Sequence, residues 1–320
     1  HEFVQRIKVP SPRLWSVDDP YLYHADSVVV DEDTIVDWVE TPLGIREIQF
    51  DADRGFLLNG VQTKINGVCL HHDGGCVGAA VPERVWARRL ETLKAMGCNG
   101  IRSSHYPPAP EFLDLCDQMG FLVMDENFDE WRQGKFDYGS HDYFDEWGLE
   151  DTRSMVRRDR NHPSVVIWGL QNEDFDGPVF RHAVESLALV RYLDDTRLVL
   201  LQSGRWDGQF EIGSVSNPGS YEWERVWGAE TADYDRPMQW GSGGYAIGAG
   251  DAHVYTGVPL TADEKKLVRT LGHDMKPVFL SEGGIGSVMH VIRELRCWEQ
   301  VGANLEAEDA VLMRSMADSF

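Results

Sequence analysis

At 320 residues with 42% hydrophobic side chains, the chain can fill one large domain, or one such domain plus part of another. Acidic residues outnumber basic ones by 53 to 30 for a formal charge of −23, a surface that repels phosphate backbones and anionic membranes, so no nucleic acid and no membrane partner is expected. An uncharged substrate suits this balance, and the 11 tryptophans supply apolar faces, although core packing is the ordinary fate of most of them. The five cysteines (Cys69, Cys76, Cys98, Cys116, Cys297) are odd in number and lack CxxC spacing, which argues against a disulfide framework or a structural zinc site. No stretch reaches the roughly 18 uninterrupted apolar residues of a membrane span. The chain opens on His1 without a leader pattern and reads as an internal piece of a longer protein, which leaves its localisation unknown.

In chain order, the first fifty residues predict β-structure. Tyr21–Val30 and Thr34–Glu40 flank the turn signal Asp31-Glu32-Asp33, and a third run, Ile45–Phe50, follows Pro42 and Gly44. Three strands do not make a stable sandwich alone, so residues 1–50 read as the C-terminal part of a β-sandwich. After Asn59-Gly60 the pattern becomes strand–helix alternation. Strands are expected at Lys64–Leu70, Gly100–Ser103, Phe121–Asp125, Val165–Gly169, Leu198–Gln202, Asp251–Tyr255 and Val278–Ser281. Helices are expected at Glu83–Met96, Pro110–Met119, Tyr143–Arg160 and Ala262–His273. Repetition of this kind implies an α/β fold with a parallel sheet, and seven units over residues 51–320 predict a (β/α)8 TIM barrel. Residues 286–320 read as helical, with an amphipathic helix over Asn304–Ser319, so the barrel is expected to be truncated before its eighth strand, leaving unpaired edges. Residues 204–248, rich in Gly and Trp, read as a long active-site loop.

Catalytic groups of such barrels sit at the C-terminal ends of the strands. Those ends supply His71-His72-Asp73, Arg102 with His105, Asp125-Glu126-Asn127, Asn172-Glu173, Tyr255 and Glu282. Two carboxylates directly follow apolar runs, in VVIWGLQNE and PVFLSE. Burial there raises a carboxyl pKa unless a cation or hydrogen bond opposes it. Two acids in unlike surroundings are what glycoside cleavage uses, one protonated and one ionised. If Glu173 and Glu282 face each other across the barrel mouth at about 5–5.5 Å, the reaction retains anomeric configuration; at about 6.5–9.5 Å it inverts. The adjacent His71 and His72 point to opposite faces of a strand, so they do not form a metal pair. The glycines of 241–250 lack the Lys-Ser/Thr ending of a phosphate loop.

The stretches GVCLHHD, NGIRSSHYPPAPEFLDLCDQMGFLVMDENFDEW and MVRRDRNHPSVVIWGLQNE resemble the catalytic core of glycoside hydrolase family 2, a family of β-galactosidases, β-glucuronidases and β-mannosidases. LWSVDDPYLY resembles the family's immunoglobulin-like sandwich before the barrel, FLSEGG resembles its nucleophile strand, and the wording around DENFDEW is similar to the β-galactosidase branch. The resemblance implies that Glu173 is the acid/base, Glu282 the nucleophile, and Asn172 the residue that bonds the sugar 2-hydroxyl. It also implies that Arg102 holds Glu282 ionised, that Tyr255 donates to the same carboxylate, that His71 and His105 bind sugar hydroxyls, and that Asp129 and Trp131 line the adjoining subsite. A carbohydrate substrate follows, and a homo-oligomer of the full-length protein is compatible with it. Three features depart from the family pattern. Gln171 stands where a Gly usually precedes the Asn-Glu pair. Trp131-Arg132 after Glu130 lack the His of the magnesium site, so no metal and no cofactor is expected. The Asn-Lys pair that reads a uronic acid has no evident counterpart. The expected activity is that of an exo-β-galactosidase-like retaining hydrolase. The alternatives are a β-glucuronidase, β-mannosidase or β-glucosidase of the same family, and a non-catalytic carbohydrate-binding barrel.

Overall fold

The computed structural model describes residues 4–51, 54–130, 134–135, 137–172, 177–200, 251–254, 260–269, 279–284, 291–302 and 306–318. Among these, β1 (Tyr23–Asp31) and β2 (Thr34–Leu43) form an antiparallel hairpin. β3 (Ile48–Asp51), β4 (Gly55–Leu58) and β5 (Val61–Gln62) form a second, separate antiparallel sheet. The third N-terminal run thus pairs not with the hairpin but with β4. Asn59 and Gly60 form the β4–β5 turn, both at positive φ, 53° and 77°, the backbone that an Asn-Gly hairpin turn requires.

The barrel strands follow: β6 (Gly67–His71), β7 (Gly100–Ser104), β8 (Leu122–Glu126), β9 (Val165–Gly169) and β10 (Leu198–Leu200) lie side by side in that order, all parallel. β11 (Asp251–Val254) pairs in parallel with β12 (Phe279–Gly283). β12 runs beside β6, where the Cys69 thiol donates to the Ser281 carbonyl at 3.3 Å. Helices α1 (Glu83–Ala95), α2 (Pro110–Met119), α3 (Phe144–Asp159) and α4 (Gly177–Leu193) connect the first five of these strands, and α5 (Ala262–Arg269) lies between β11 and β12. After Gly284 the described residues contain α6 (Val291–Gln300) and α7 (Glu308–Ala317), the second within the helix expected over Asn304–Ser319, and no strand.

Strand alternation sorts the side chains into two cores. Phe121 and Val123 face outward to Phe112, Leu113 and Cys116 of α2, whereas Leu122 and Met124 face inward with Val166 and Ile167. The inward core is completed by Trp15, which precedes β1, and by Phe56 and Leu58 of β4. Two polar clasps fix this packing. Trp15 Nε1 donates to the Asp117 carbonyl at 2.8 Å, and the Arg46 guanidinium donates to the carbonyls of Pro163 and Val165 at 2.5 and 2.6 Å. The contact is close: a Cβ on Gly120, whose φ is +72°, would lie 2.3 Å from the Val17 carbonyl oxygen. The alternation therefore places the even-numbered β7 and β8 residues, Arg102, Met124 and Glu126, in the interior.

At the outer edge, the α4–β10 turn is tied to β9 by Asp194. Its carboxylate accepts from the Trp168 indole (2.8 Å), Arg197 Nη1 (2.8 Å) and both the amide and hydroxyl of Thr196 (2.9 and 2.6 Å). Burial alone would raise its pKa, but Arg197, Thr196 and Trp168 outweigh burial and hold it at about 2. A depressed carboxyl pKa stabilises the fold above the ordinary value near 3.9, and that contribution is lost as pH falls toward the folded-state value. Asp194→Asn is therefore expected to cost about 2 kcal/mol at pH 7 and to flatten the loss of stability between about pH 4 and pH 2. Urea unfolding across that window checks it.

Candidate active site

Residues at the upper ends of β6, β7, β8, β9 and β12 converge on one guanidinium. Arg102 is 3% exposed and carries three polar contacts at once. Its Nε donates to Glu126 Oε1 (2.5 Å), Nη2 donates to Asn172 Oδ1 (2.7 Å), and Nη1 donates to Glu282 Oε2. Burial would lower the Arg102 pKa, but Glu126, Cys69 and Glu282 around it raise it above its ordinary value. Glu126, also buried, is raised by desolvation and then lowered below its ordinary value overall by Arg102 and His105. This is a charge-assisted network in which each long side chain is fixed by another.

His105 completes the second-strand contribution. Its Nδ1 donates to Glu126 Oε2 at 2.8 Å, which fixes the ring and leaves Nε2 3.8 Å from Glu282 Oε2. His71 stands edge-on to the His105 ring, centroids 5.5 Å apart, whereas His72 packs on Trp86 at 5.1 Å. The two histidines therefore do point to opposite sides of β6. Asn172, 3% exposed, accepts from Arg102 through its oxygen and donates from Nδ2 to Asp129 Oδ1 at 2.8 Å. Asp129 also accepts from Lys135 Nζ at 2.5 Å. Burial pushes the Asp129 pKa up, but the bonds from Lys135 and Asn172 hold it below the usual carboxylate range. A cavity of about 550 Å³ opens among these strands, bounded at its polar end by His71, Arg102, His105 and Glu282. That volume matches a site for a small molecule.

Of the residues singled out by sequence, Arg102, His105, His71, Asn172, Asp129 and Glu282 gather around this cavity and network. Glu173, Tyr255 and Trp131 lie outside the described residues, as does the 204–248 segment. Gln171, 3% exposed, leaves its Oε1 without a hydrogen-bond partner among the described residues. Three participants were not assigned roles. In the sequence Glu126 is one of three polar residues at the end of its strand, and its alternation with Asp125 turns it inward onto Arg102. His253, on β11, puts Nδ1 3.7 Å from Glu282 Oε2, and its place two residues before Tyr255 in the sequence DAHVY is the available signal. Lys135 gives no such signal.

The loop after β8 has its own anchor. Glu130, 1% exposed, accepts the backbone N–H groups of Lys135 (2.6 Å) and Ser140 (2.9 Å), and a Cβ on Gly139 would lie 1.5 Å from its Oε1. Gly139→Ala must displace that carboxylate and is expected to cost about 2–3 kcal/mol. The midpoint of denaturant unfolding measures it.

Residues 51–225 match the model of the glycosyl hydrolases family 2 TIM barrel domain, and residues 1–46 match a second glycosyl hydrolases family 2 model. The chain is 55% identical over 171 residues to the β-galactosidase BoGH2A of Bacteroides ovatus, a match covering 53% of this chain and 20% of that protein. It is 35% identical over 195 residues to a β-glucuronidase of Bacteroides fragilis, covering 59% of this chain and 28% of that one. A β-glycosidase crystal structure from Bacteroides vulgatus superposes with a TM-score of 0.59 at 39% identity, covering 70% of this chain and 29% of the other. The chain thus spans between a fifth and a third of these relatives. With the barrel model matched over more than half of its residues, the chain belongs to glycosyl hydrolase family 2.

Proposed function

We propose that this chain carries the catalytic core of a retaining exo-β-glycosidase, β-galactosidase-like in specificity, with Glu282 as nucleophile and Glu173 as acid/base. The observation that carries the reading is the Glu282 carboxylate held at the mouth of the cavity by the same guanidinium that binds Asn172. The Arg102 charge balances and orients that carboxylate. Glu282 attacks the anomeric carbon while the leaving oxygen takes a proton from Glu173. The Glu173 carboxylate then removes a proton from water, which attacks the same carbon and frees Glu282. Asn172, fixed at both ends of its amide, presents its remaining N–H to the sugar 2-hydroxyl, a bond that strengthens as positive charge builds at the ring. His71 and His105, with their edges at the same cavity, suit ring hydroxyls; Asp129, Trp131 and Tyr255 complete the pocket in this reading.

The similarity to BoGH2A favours galactose, and the ion pairs already described set two cations, Arg102 and Lys135, against three carboxylates, Glu126, Glu282 and Asp129, which suits an uncharged sugar better than a uronic acid. The similarity to a β-glucuronidase supports a second reading with the same chemistry on a uronic acid. A panel of nitrophenyl β-glycosides with the full-length protein separates them. Preferential cleavage of the β-galactoside is expected; preference for the β-glucuronide would replace the first reading by the second. Binding of sugars without cleavage of any of them would defeat both.

A further inference from the structure

One cation at the rim is not used by the chemistry above. Lys135 lies on the loop after β8, and its ammonium reaches two places: Asp129 Oδ1 at 2.5 Å and the main-chain carbonyl of Asn172 at 3.3 Å. Its backbone N–H is pinned in turn by the buried Glu130 carboxylate at 2.6 Å. An exposed lysine–carboxylate pair contributes little. This pair differs, because the Lys135 and Asp129 side chains are only 31% and 13% exposed and the second contact crosses to the end of β9.

The geometry forms a single line of contacts, Lys135 to Asp129 to the Asn172 amide to Arg102 to Glu282. The Asn172 amide can be held in one sense only, since reversing it would set its NH₂ against the guanidinium and its oxygen against the Asp129 carboxylate. The carboxylate end of that constraint is held in place by Lys135. We propose that Lys135 is a positioning residue that fixes the sugar-binding amide of Asn172, through the Asp129 carboxylate and the Asn172 carbonyl. The inference rests on the glycosidase reading and adds to it a residue that touches no substrate. Its signature is a loss confined to substrates that carry the hydroxyl Asn172 binds.

The test uses the full-length protein with the best aryl β-glycoside and its 2-deoxy counterpart. Lys135→Met is expected to lower kcat/KM on the 2-hydroxy substrate about 10–100-fold, the scale of one charge-assisted hydrogen bond, while changing the 2-deoxy substrate less than about threefold. Lys135→Arg should recover part of the loss, and Lys135→Met added to Asn172→Ala should cost nothing further. Equal losses on both substrates, or losses that add in the double variant, would show a merely structural lysine and overturn the inference alone. Should the double variant not fold, the two-substrate comparison on Lys135→Met decides by itself. No turnover of any glycoside by the unaltered protein would overturn the glycosidase reading together with this one.

Discussion

Replacing Glu282 by glycine is expected to lower turnover of aryl β-glycosides by on the order of 10⁴-fold or more, with the fold intact. The reason lies in where the carboxylate stands. It is 13% exposed, at the end of β12, and it approaches Arg102 from the cavity side while Glu126 occupies the buried side. Removing it takes away the group that would bond to the anomeric carbon but leaves Arg102 its bonds to Glu126 and Asn172. The vacated space borders a guanidinium and is open to the cavity, so a small anion such as formate should enter it and restore part of the turnover on activated substrates. Circular dichroism and melting separate lost chemistry from lost structure. Undiminished turnover by Glu282→Gly would remove Glu282 from the role assigned to it.

Arg102→Met is expected to damage stability and activity together. The guanidinium is the shared counter-charge of Glu126 and Glu282 and the donor to Asn172 Oδ1. Without it Glu126, 1% exposed, stays buried with only the His105 ring as a side-chain partner of its carboxylate among the described contacts. Removing one side of such a buried pair costs about 3–5 kcal/mol. Turnover should fall at least about 10³-fold, because the nucleophile and the sugar-binding amide lose their common anchor. Arg102→Lys should rescue little. An ammonium keeps the charge, but it cannot reach three acceptors lying in the plane of a guanidinium fork. Denaturant unfolding and kcat/KM on the same preparations test both halves; wild-type stability in the Met variant would contradict the geometry.

The sequence was most readable where the local pattern and the tertiary role agree. VVIWG predicts its strand to the residue, and the Pro110–Met119 helix likewise, because apolar runs and a Pro at the first helical position mark their ends. The β4–β5 hairpin escaped, although Asn59-Gly60 is the strongest short-range hairpin signal. GFLL is buried on both faces and shows no alternation, and VQ is two residues long, so the turn read as a boundary between domains. The helical reading of residues 286–320 holds as two helices, α6 and then α7 within the expected Asn304–Ser319 helix, with Gly302, whose φ is +67°, after the first.

At the site, Arg102, His105, Asn172 and Glu282 were legible because they fall at the ends of barrel strands, Asn172 and Glu282 after the apolar runs of VVIWGLQNE and PVFLSE. Glu126 needed one further step, the in-and-out alternation of β8. Lys135 was out of reach. Its position depends on how the loop after β8 turns back, and that turn is set by Glu130 accepting backbone N–H groups across a space that only Gly139 leaves open. Nothing in the local spacing of these residues announces it.

The claim on which the rest depends is that Glu282 becomes covalently attached to the sugar. Incubating the full-length protein with a dinitrophenyl 2-deoxy-2-fluoro-β-galactoside, which slows both steps by withdrawing charge from the anomeric centre, should trap that species. Mass spectrometry of the intact protein is expected to show one added fluorosugar, and peptide mapping to place it on the Glu282 side chain within FLSEGG. A label on any other carboxylate would contradict the assignment, as would an enzyme that hydrolyses the unmodified galactoside and releases its sugar with inverted configuration.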